Sequence, residues 1–330
     1  MTYDGSVNPD DLRLFAGSSN PALADALAAY LRVPRSPARS GHYSNDSLHV
    51  QLGETVRSRV VVIVQSFSPP VAEHAQELLL MLDAARSAGA KEVHAIIPYY
   101  SYARSDKKDA PRISIAGRLM ARLMQTAGAT NVMTMSLHSA QVHGFFDVPT
   151  DPLTARPVFE EYFRHLPLAD TIVISPDAGR VHSAGRFAQR LNLPLAVGNK
   201  TRVSDTQVIV SGLIGDVSGK TQAIIYDDEI ASGTSITEVS KVLRGLGIER
   251  FWVVCTHGVF AGDALARLSA LPGVQEIIAT DTVPIPANKR TDKLRMLSVA
   301  PLFGEAIRRN YLRQSIGDLF TFWNEYTVED

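Results

Sequence analysis

Short apolar runs alternate with longer amphipathic segments from the start of the chain. Val60–Val64, Val93–Ile97 and Asn131–Met135 have the length and residue types of buried strands. Between them, apolar positions recur at helical spacing from about Val71 to Ala88 and from about Ile113 to Ala127, and a glycine follows each of these segments. This order predicts parallel strands that are connected by helices.

The second half of the chain repeats the same pattern. Three further helices and four further strands are predicted by the same periodicities. The segments are a helix at about Ala155–Leu166, a strand at Thr171–Ser175, a helix at about Arg180–Leu191, a strand near Leu195–Val197, a strand at Ala223–Tyr226, a helix at about Ser235–Leu246 and a strand at Phe251–Cys255.

This repetition predicts an α/β protein with two similar domains, each a mostly parallel sheet flanked by helices. A length of 330 residues also favours two domains. We place the boundary near Pro149–Pro152, which gives an N-terminal domain of residues 1–150 and a C-terminal domain of residues 151–304. A final amphipathic segment, about 305–330, is a candidate to pack on the first domain.

Composition and charge argue against a nucleic-acid or membrane partner. The formal net charge is −1 and the basic residues are spread along the chain, so we expect no nucleic-acid partner. Cys255 is the only cysteine and cannot form an internal disulfide, which favours a reducing, cytoplasmic location. The N-terminus shows no signal pattern, and the longest apolar runs are far shorter than a bilayer span.

The segment Ala223–Ser235 carries the clearest candidate chemistry. A strand leads into the paired acids Asp227 and Asp228, and a small-residue loop then opens a helix. Backbone N–H groups at a helix N-terminus bind anions, and carboxylates accept hydrogen bonds from a vicinal diol. The pattern therefore suits a sugar phosphate, although an ordinary strand–turn–helix junction with acidic residues remains open. The loop is formed by Ala231, Ser232, Gly233, Thr234 and Ser235.

Three other segments follow predicted strands: Tyr99–Lys108, Ser136–Asp147 and Ile174–Gly179. Together with the loop they resemble ribose-phosphate diphosphokinases, also called phosphoribosyl-diphosphate synthetases. The resemblance extends from about Leu12 to Phe320, and the histidine segment with its Gly-Phe-Phe-Asp ending is its most specific motif.

The resemblance implies transfer of a diphosphate from Mg-ATP to O1 of ribose 5-phosphate, with Mg²⁺ as cofactor and AMP as the second product. It implies that Lys200 and Arg202 lie on a mobile catalytic loop and that His138 and Asp177 are associated with the metal. It also implies that Asp227 and Asp228 bind ribose and that Ala231–Ser235 bind the 5-phosphate. The nucleotide-binding positions are implied to be Tyr43, Asn45, Ser47, Arg104, Ser105, His138 and Gln141.

Several positions depart from the usual pattern of the family. Tyr43-Ser44-Asn45-Asp46-Ser47 stands where Phe-Ser-Asp-Gly-Glu is usual in the adenine-contacting segment. The resemblance therefore leaves open which base the nucleotide carries. Ala231 replaces an acid of the phosphate loop, and Gly179-Arg180 replaces a Gly-Gly pair. Arg180 is expected either to bind an anion or simply to begin a helix.

These departures leave two alternatives beside an active diphosphokinase. A non-catalytic regulatory homologue would bind sugar phosphate without turnover, and a phosphoribosyltransferase would use the loop alone. The resemblance further implies a homo-oligomer, a hexamer or its dimer unit, whose nucleotide site is completed by a neighbouring Tyr43 segment.

Overall fold

The computed structural model describes residues 6–202 and 208–319. Its strands are β1 (Leu12–Ala16), β2 (Ala38–His42), β3 (Leu48–Leu52), β4 (Val60–Val64), β5 (Glu92–Ile97), β6 (Asn131–Met135), β7 (Thr150–Leu153), β8 (Thr171–Ser175), β9 (Leu195–Arg202), β10 (Val208–Ile214), β11 (Gln222–Ile230), β12 (Arg250–Gly258), β13 (Val274–Thr280) and β14 (Leu294–Leu297). Its helices are α1 (Pro21–Leu31), α2 (Val71–Ser87), α3 (Ala116–Ala127), α4 (Arg156–Arg164), α5 (Val181–Arg190), α6 (Thr234–Gly245), α7 (Ala264–Ala270) and α8 (Ala300–Tyr311). None of these helices is long and apolar enough to cross a membrane.

The described residues form two compact units. The first contains residues up to 154 together with 282–284 and 298–319, and the second contains residues 155–281 and 285–297. The expectation of an α/β fold with parallel sheets and flanking helices is confirmed in both units.

The first unit is built on a five-stranded parallel sheet in the order β1-β4-β5-β6-β7. All residues of β4 and β6 are buried, which explains their continuous apolar runs, because strands of a parallel sheet are covered on both faces. β2 and β3 form a separate antiparallel hairpin beside α2.

The final helix, α8, belongs to the first unit and packs on α1. The two helices approach closely at Gly304, where an added Cβ would lie 2.3 Å from the Tyr30 ring. Two contacts of the residues at the end of α8 strengthen this attachment: the Tyr311 hydroxyl donates to Asp11, and Arg313 pairs with Glu92. Helix α8 therefore completes the N-terminal unit.

The second unit contains a seven-stranded sheet in the order β10-β9-β8-β11-β12-β13-β14. Only the pairing of β10 with β9 is antiparallel. β11 is central, and its apolar residues pack with α6, β12 and β13 in one buried core. This arrangement brings the carboxyl ends of β8, β11 and β12 to the same edge of the sheet, where ligands of open α/β sheets bind.

Two strands differ from their predicted lengths in a way that affects the site. β11 continues to Ile230, so Asp227 and Asp228 lie within the strand and not after it. The extension is stabilised by parallel pairing with β12, in which Asp227 is opposite Cys255. β9 continues from Val197 to Arg202 because β10, which the sequence pattern did not predict, pairs with it.

Candidate active site

The small-residue loop of the second unit connects β11 to the N-terminus of α6. Gly233 is the last residue before the helix and has φ +73°, in the left-handed region. A Cβ at this position would lie 3.0 Å from Leu268 Cδ1. The Gly233 carbonyl accepts a hydrogen bond from Thr237 N, which starts the helical ladder. Glycine is therefore required both by the backbone conformation and by the close packing on α7.

The rest of the loop is held by its neighbours. Arg267 of α7 donates to the Ser232 carbonyl at 2.9 Å, and Ala261 N donates to the Ala231 carbonyl at 2.9 Å. The hydroxyl groups of Ser232 and Thr234 lie 3.1 Å apart at the start of α6. Hydroxyls and N–H groups at a helix N-terminus are suited to an anion such as a phosphate.

Three carboxylates lie at the same edge of this sheet. Asp227 and Asp228 are adjacent on β11, and Asp228 N donates to Asp227 Oδ1 at 2.8 Å. Burial, followed by the neighbouring charge of Asp228 and then that of Asp177, raises the pKa of Asp227 well above its ordinary value. Asp177 follows β8, and its Oδ1 accepts a hydrogen bond from Gly179 N at 3.0 Å.

Arg180 is the cation that the sequence left without a definite role. Its Nε lies 2.9 Å from Asp228 Oδ1, with both side chains largely buried. The same cation acts against the rise in the Asp227 pKa. Sequence reasoning recognised Arg180 as an unusual residue but had no local signal for its partner, since 48 positions separate it from Asp228.

The tyrosine segment predicted for the base forms the turn of the β2–β3 hairpin. Tyr43 is 60% exposed, and its ring lies 4.5 Å from that of His49. Asn45 Oδ1 accepts hydrogen bonds from both the backbone N and the hydroxyl of Ser47, at 3.2 and 2.7 Å. Asn45 and Ser47 therefore already stabilise the turn, whereas the exposed Tyr43 ring presents a flat apolar surface.

The other nucleotide-side residues follow the adjacent strands β5 and β6. Arg104 is exposed at the end of a short 3₁₀ turn. The next residue, Ser105, accepts a hydrogen bond from Ala116 N at 3.1 Å and thereby caps the start of α3. Ser105 thus has a structural role in addition to the nucleotide contact implied by the resemblance.

His138 and Gln141 lie in the segment after β6, His138 partly buried and Gln141 exposed. Between them, the Ser139 hydroxyl is 2.6 Å from Asp106 Oδ2 and also contacts the Gln141 side chain. Ser139 therefore joins the histidine segment to the Arg104 segment. This residue was not selected from the sequence, because its partner follows a different strand.

Lys200 and Arg202 lie on the backbone of β9, opposite Val210 and Val208 of β10. The described side chains stop at Asn199 and resume at Gly212, so the side chains of both predicted catalytic residues lie outside the described part of the chain. The backbone shows only that both residues lie on β9, where it pairs with β10 in an antiparallel extension of the sheet.

The carboxylates of the second unit are chemically suited to Mg²⁺, which prefers oxygen ligands and often takes only one or two carboxylates, completing its shell with water and substrate phosphates. Within residues 6–202 and 208–319, no three His, Cys, Asp or Glu side chains form a protein-only metal cluster. Asp177, which follows β8, offers carboxylate oxygens of the kind that a metal shared with a substrate uses. The raised pKa of Asp227 is caused first by burial and only then by the charge of Asp228.

Comparisons with known proteins agree with this geometry. Residues 12–128 match the N-terminal domain of ribose phosphate pyrophosphokinase, and residues 201–321 match the phosphoribosyl synthetase-associated domain. The chain is 49% identical over 310 residues to a putative ribose-phosphate pyrophosphokinase of Streptomyces coelicolor, covering 94% of this chain and 98% of the relative. It is 48% identical over 315 residues to the ribose-phosphate pyrophosphokinase of Deinococcus radiodurans, with the same coverage.

Among solved structures, the chain is similar to phosphoribosylpyrophosphate synthetase from Mycobacterium smegmatis. The TM-score is 0.86 at 37% identity, and the similarity covers 92% of this chain and 99% of the solved chain. The similarity therefore includes both units and the segments that carry the candidate site.

Proposed function

This chain belongs to the ribose-phosphate pyrophosphokinase family, and from that membership we propose how its own residues carry out the reaction. The chain transfers a diphosphate group to O1 of ribose 5-phosphate. The observation that carries the assignment to particular residues is the edge of the second sheet, where a helix N-terminus and paired carboxylates occur together. The donor that we propose is ATP, although another nucleoside triphosphate is compatible with the altered base segment.

The second unit binds the sugar phosphate in this proposal. The loop at 231–235 surrounds the 5-phosphate with N–H and hydroxyl groups at the positive end of α6. Asp227 and Asp228 accept hydrogen bonds from the ribose hydroxyls. A deprotonated phosphate has no hydrogen to donate, so it could not make these hydrogen bonds to the carboxylates. The sugar phosphate is therefore oriented with its 5-phosphate at the loop and its ribose hydroxyls at Asp227 and Asp228.

The first unit binds the nucleotide. Tyr43 stacks on the base, Arg104 neutralises phosphate oxygens, and His138 and Gln141 complete the polar contacts, with Ser105 and the turn residues Asn45 and Ser47 adding support. The linkage of Asp106, Ser139 and Gln141 favours this assignment because it holds two of these segments together.

The transfer itself depends on positioning and on charge neutralisation. Ribose O1 attacks the β-phosphorus of ATP, the bond from that phosphorus to the oxygen shared with the α-phosphate breaks, and AMP leaves with that oxygen. Lys200 and Arg202 stabilise the charge on the transferred group. Mg²⁺, when bound, neutralises phosphate oxygens; Asp177 and His138 are the residues that we propose to hold it, directly or through water.

We also propose a cytoplasmic homo-oligomer, a hexamer or its dimer unit. The exposure of Tyr43 supports this proposal, because a base that stacks on one open face gains protection from a neighbouring surface.

The purified chain, incubated with ribose 5-phosphate, Mg²⁺ and ATP, should produce AMP and phosphoribosyl diphosphate in equal amounts. Lys200→Ala should lower kcat by on the order of 10²–10³. Binding of ribose 5-phosphate without turnover by any nucleoside triphosphate would identify a non-catalytic homologue instead. Release of diphosphate that depends on a free base would identify a phosphoribosyltransferase.

A further inference from the structure

Arg180 lies inside the sugar-phosphate side of the second unit. It follows the Asp177 turn and immediately precedes α5. Only 17% of its side chain and 11% of the Asp228 side chain are exposed. An ion pair with this little solvent is screened less than a surface pair, so it constrains both side chains.

Arg180 and Asp228 are in direct contact. Arg180 Nε is 2.9 Å from Asp228 Oδ1, a distance typical of a charge-assisted hydrogen bond. A carboxylate can accept about four hydrogen bonds, so a carboxylate that is held by an arginine can also accept one from another donor. Asp228 is thereby held in one arrangement while it can still accept a hydrogen bond from a sugar hydroxyl.

The neighbouring charges explain why Asp228 needs this partner. Asp227 is the adjacent residue and Asp177 follows the neighbouring strand, so Asp228 lies among carboxylates that repel its charge. Arg180 opposes the effect of these acids at Asp227.

We propose that Arg180 is a positioning residue for ribose 5-phosphate, acting through its ion pair with Asp228 to hold that carboxylate ready for the ribose hydroxyls. The inference rests on the proposed function, because it assigns the ligand of Asp228. It predicts an effect on the affinity for the sugar phosphate and no effect on the nucleotide.

The test compares Arg180→Ala and Arg180→Lys with the control Arg190→Ala. Arg190 is an exposed arginine in the last turn of α5, at the opposite end of the helix from Arg180. The control therefore removes an equal charge without touching the site. Dissociation constants for ribose 5-phosphate are measured by calorimetry without nucleotide, and KM is measured separately for ribose 5-phosphate and ATP.

Arg180→Ala should weaken ribose 5-phosphate binding by on the order of tenfold to a hundredfold, with KM for ATP unchanged within about twofold. Arg180→Lys should recover part of the affinity, since it retains the charge, and Arg190→Ala should bind as the unaltered chain does. Equal affinity in Arg180→Ala and Arg190→Ala, or a rise in KM for ATP alone, would overturn the inference.

A double-mutant cycle with Asp228→Asn tests whether Arg180 acts through this carboxylate. If it does, Arg180→Ala should cost much less in the Asp228→Asn background than in the unaltered chain. Additive losses would overturn the inference. A chain that neither binds ribose 5-phosphate nor turns over in any form would overturn the proposed function itself, which is a distinguishable result.

Discussion

The proposed sugar-phosphate side of the second unit and the proposed nucleotide side of the first unit are built in different ways. On the sugar side, Gly233 is buried and Asp228 is 11% exposed, and each is held by neighbours from other elements. On the nucleotide side, Tyr43 is 60% exposed, and both Arg104 and Gln141 are also exposed. The first site is shaped by the fold, whereas the second presents side chains on its surface.

This difference indicates how each side tolerates change. A residue that is packed on several sides cannot be substituted without moving its neighbours. Substitution of an exposed residue removes only the contacts that its own side chain makes. Departures from the family pattern occur on both sides: Asn45 and Ser47 form the exposed hairpin turn, whereas Arg180 is largely buried and is held by its ion pair with Asp228. The first three predictions below test this contrast, and the fourth concerns the scaffold of the first unit.

The largest effect is expected for Gly233→Ala. A Cβ there would meet Leu268 at 3.0 Å, and a left-handed backbone costs an alanine about 1–2 kcal/mol, so the loop must shift away from the helix N-terminus. We expect kcat/KM for ribose 5-phosphate to fall by on the order of 10². Gly245→Ala is the control, since an added Cβ meets nothing within 4 Å there. Equal activities of the two variants would contradict the idea of a fold-shaped sugar site.

Tyr43→Ala should have the next largest effect and should act on the other substrate. Loss of base stacking costs about 1–3 kcal/mol, so KM for ATP should rise about tenfold or more while thermal stability stays unchanged. Tyr43→Phe retains the aromatic face and should retain most of the affinity. A rise in KM for ribose 5-phosphate instead of ATP would show that the two sides are not separate in function.

Thr234→Val should produce a smaller change on the sugar side. The hydroxyl lies at the first residue of α6, next to that of Ser232, and its removal leaves the backbone N–H groups in place. A hydrogen bond contributes about 0.5–1.5 kcal/mol, so KM for ribose 5-phosphate should rise about two- to tenfold. KM for ATP in the same preparation is the control. An unchanged KM for the sugar would mean that the side chain does not contact the phosphate.

The smallest effect is expected in the scaffold of the first unit. The hydrogen bond from Arg308 lowers the pKa of Glu305 to about 2 from its ordinary value of 4.5, against the effect of burial. Because the folded-state pKa is the lower one, this contribution to stability is present above pH 4.5 and is lost as the pH falls toward 2.

Glu305→Gln should therefore lower the free energy of unfolding by about 1 kcal/mol at pH 7, and the difference should shrink between pH 4.5 and 3. Thermal unfolding monitored across that range measures it, with Glu249→Gln, at an exposed position before β12, as the control. A difference that grows as the pH falls would show that Glu305 does not stabilise the folded state as a carboxylate.

Much of the fold follows from local pattern. β4, β6 and β8 begin and end at the predicted residues because strands that are covered on both faces require continuous apolar runs. The carboxyl-terminal extension of β11 was missed because its residues are Asp, Asp and Glu, and only pairing with β12 makes them a strand. β10 was missed although its own residues, Val208–Ile214, are rich in Val and Ile, which is typical of a strand.

Some residues of the candidate site could likewise be predicted from local sequence, and others could not. The loop at 231–235 could be read from its small residues and the helix after them, because both signals are local. The pairing of Arg180 with Asp228 and the linkage of Ser139 to Asp106 could not, because each joins residues that follow different strands. Sequence identifies the residue types of such contacts, and only the fold determines which of them meet.

The place of α8 has a consequence for how the protein is made. The helix packs on α1 but emerges from the ribosome after the whole of the second unit has been synthesised. The N-terminal unit therefore spends most of translation with the Gly304-facing surface of α1 uncovered, while residues 155–297 are already long enough to fold. In a nascent chain of this architecture, that surface of α1 can be covered only after the second unit has been synthesised.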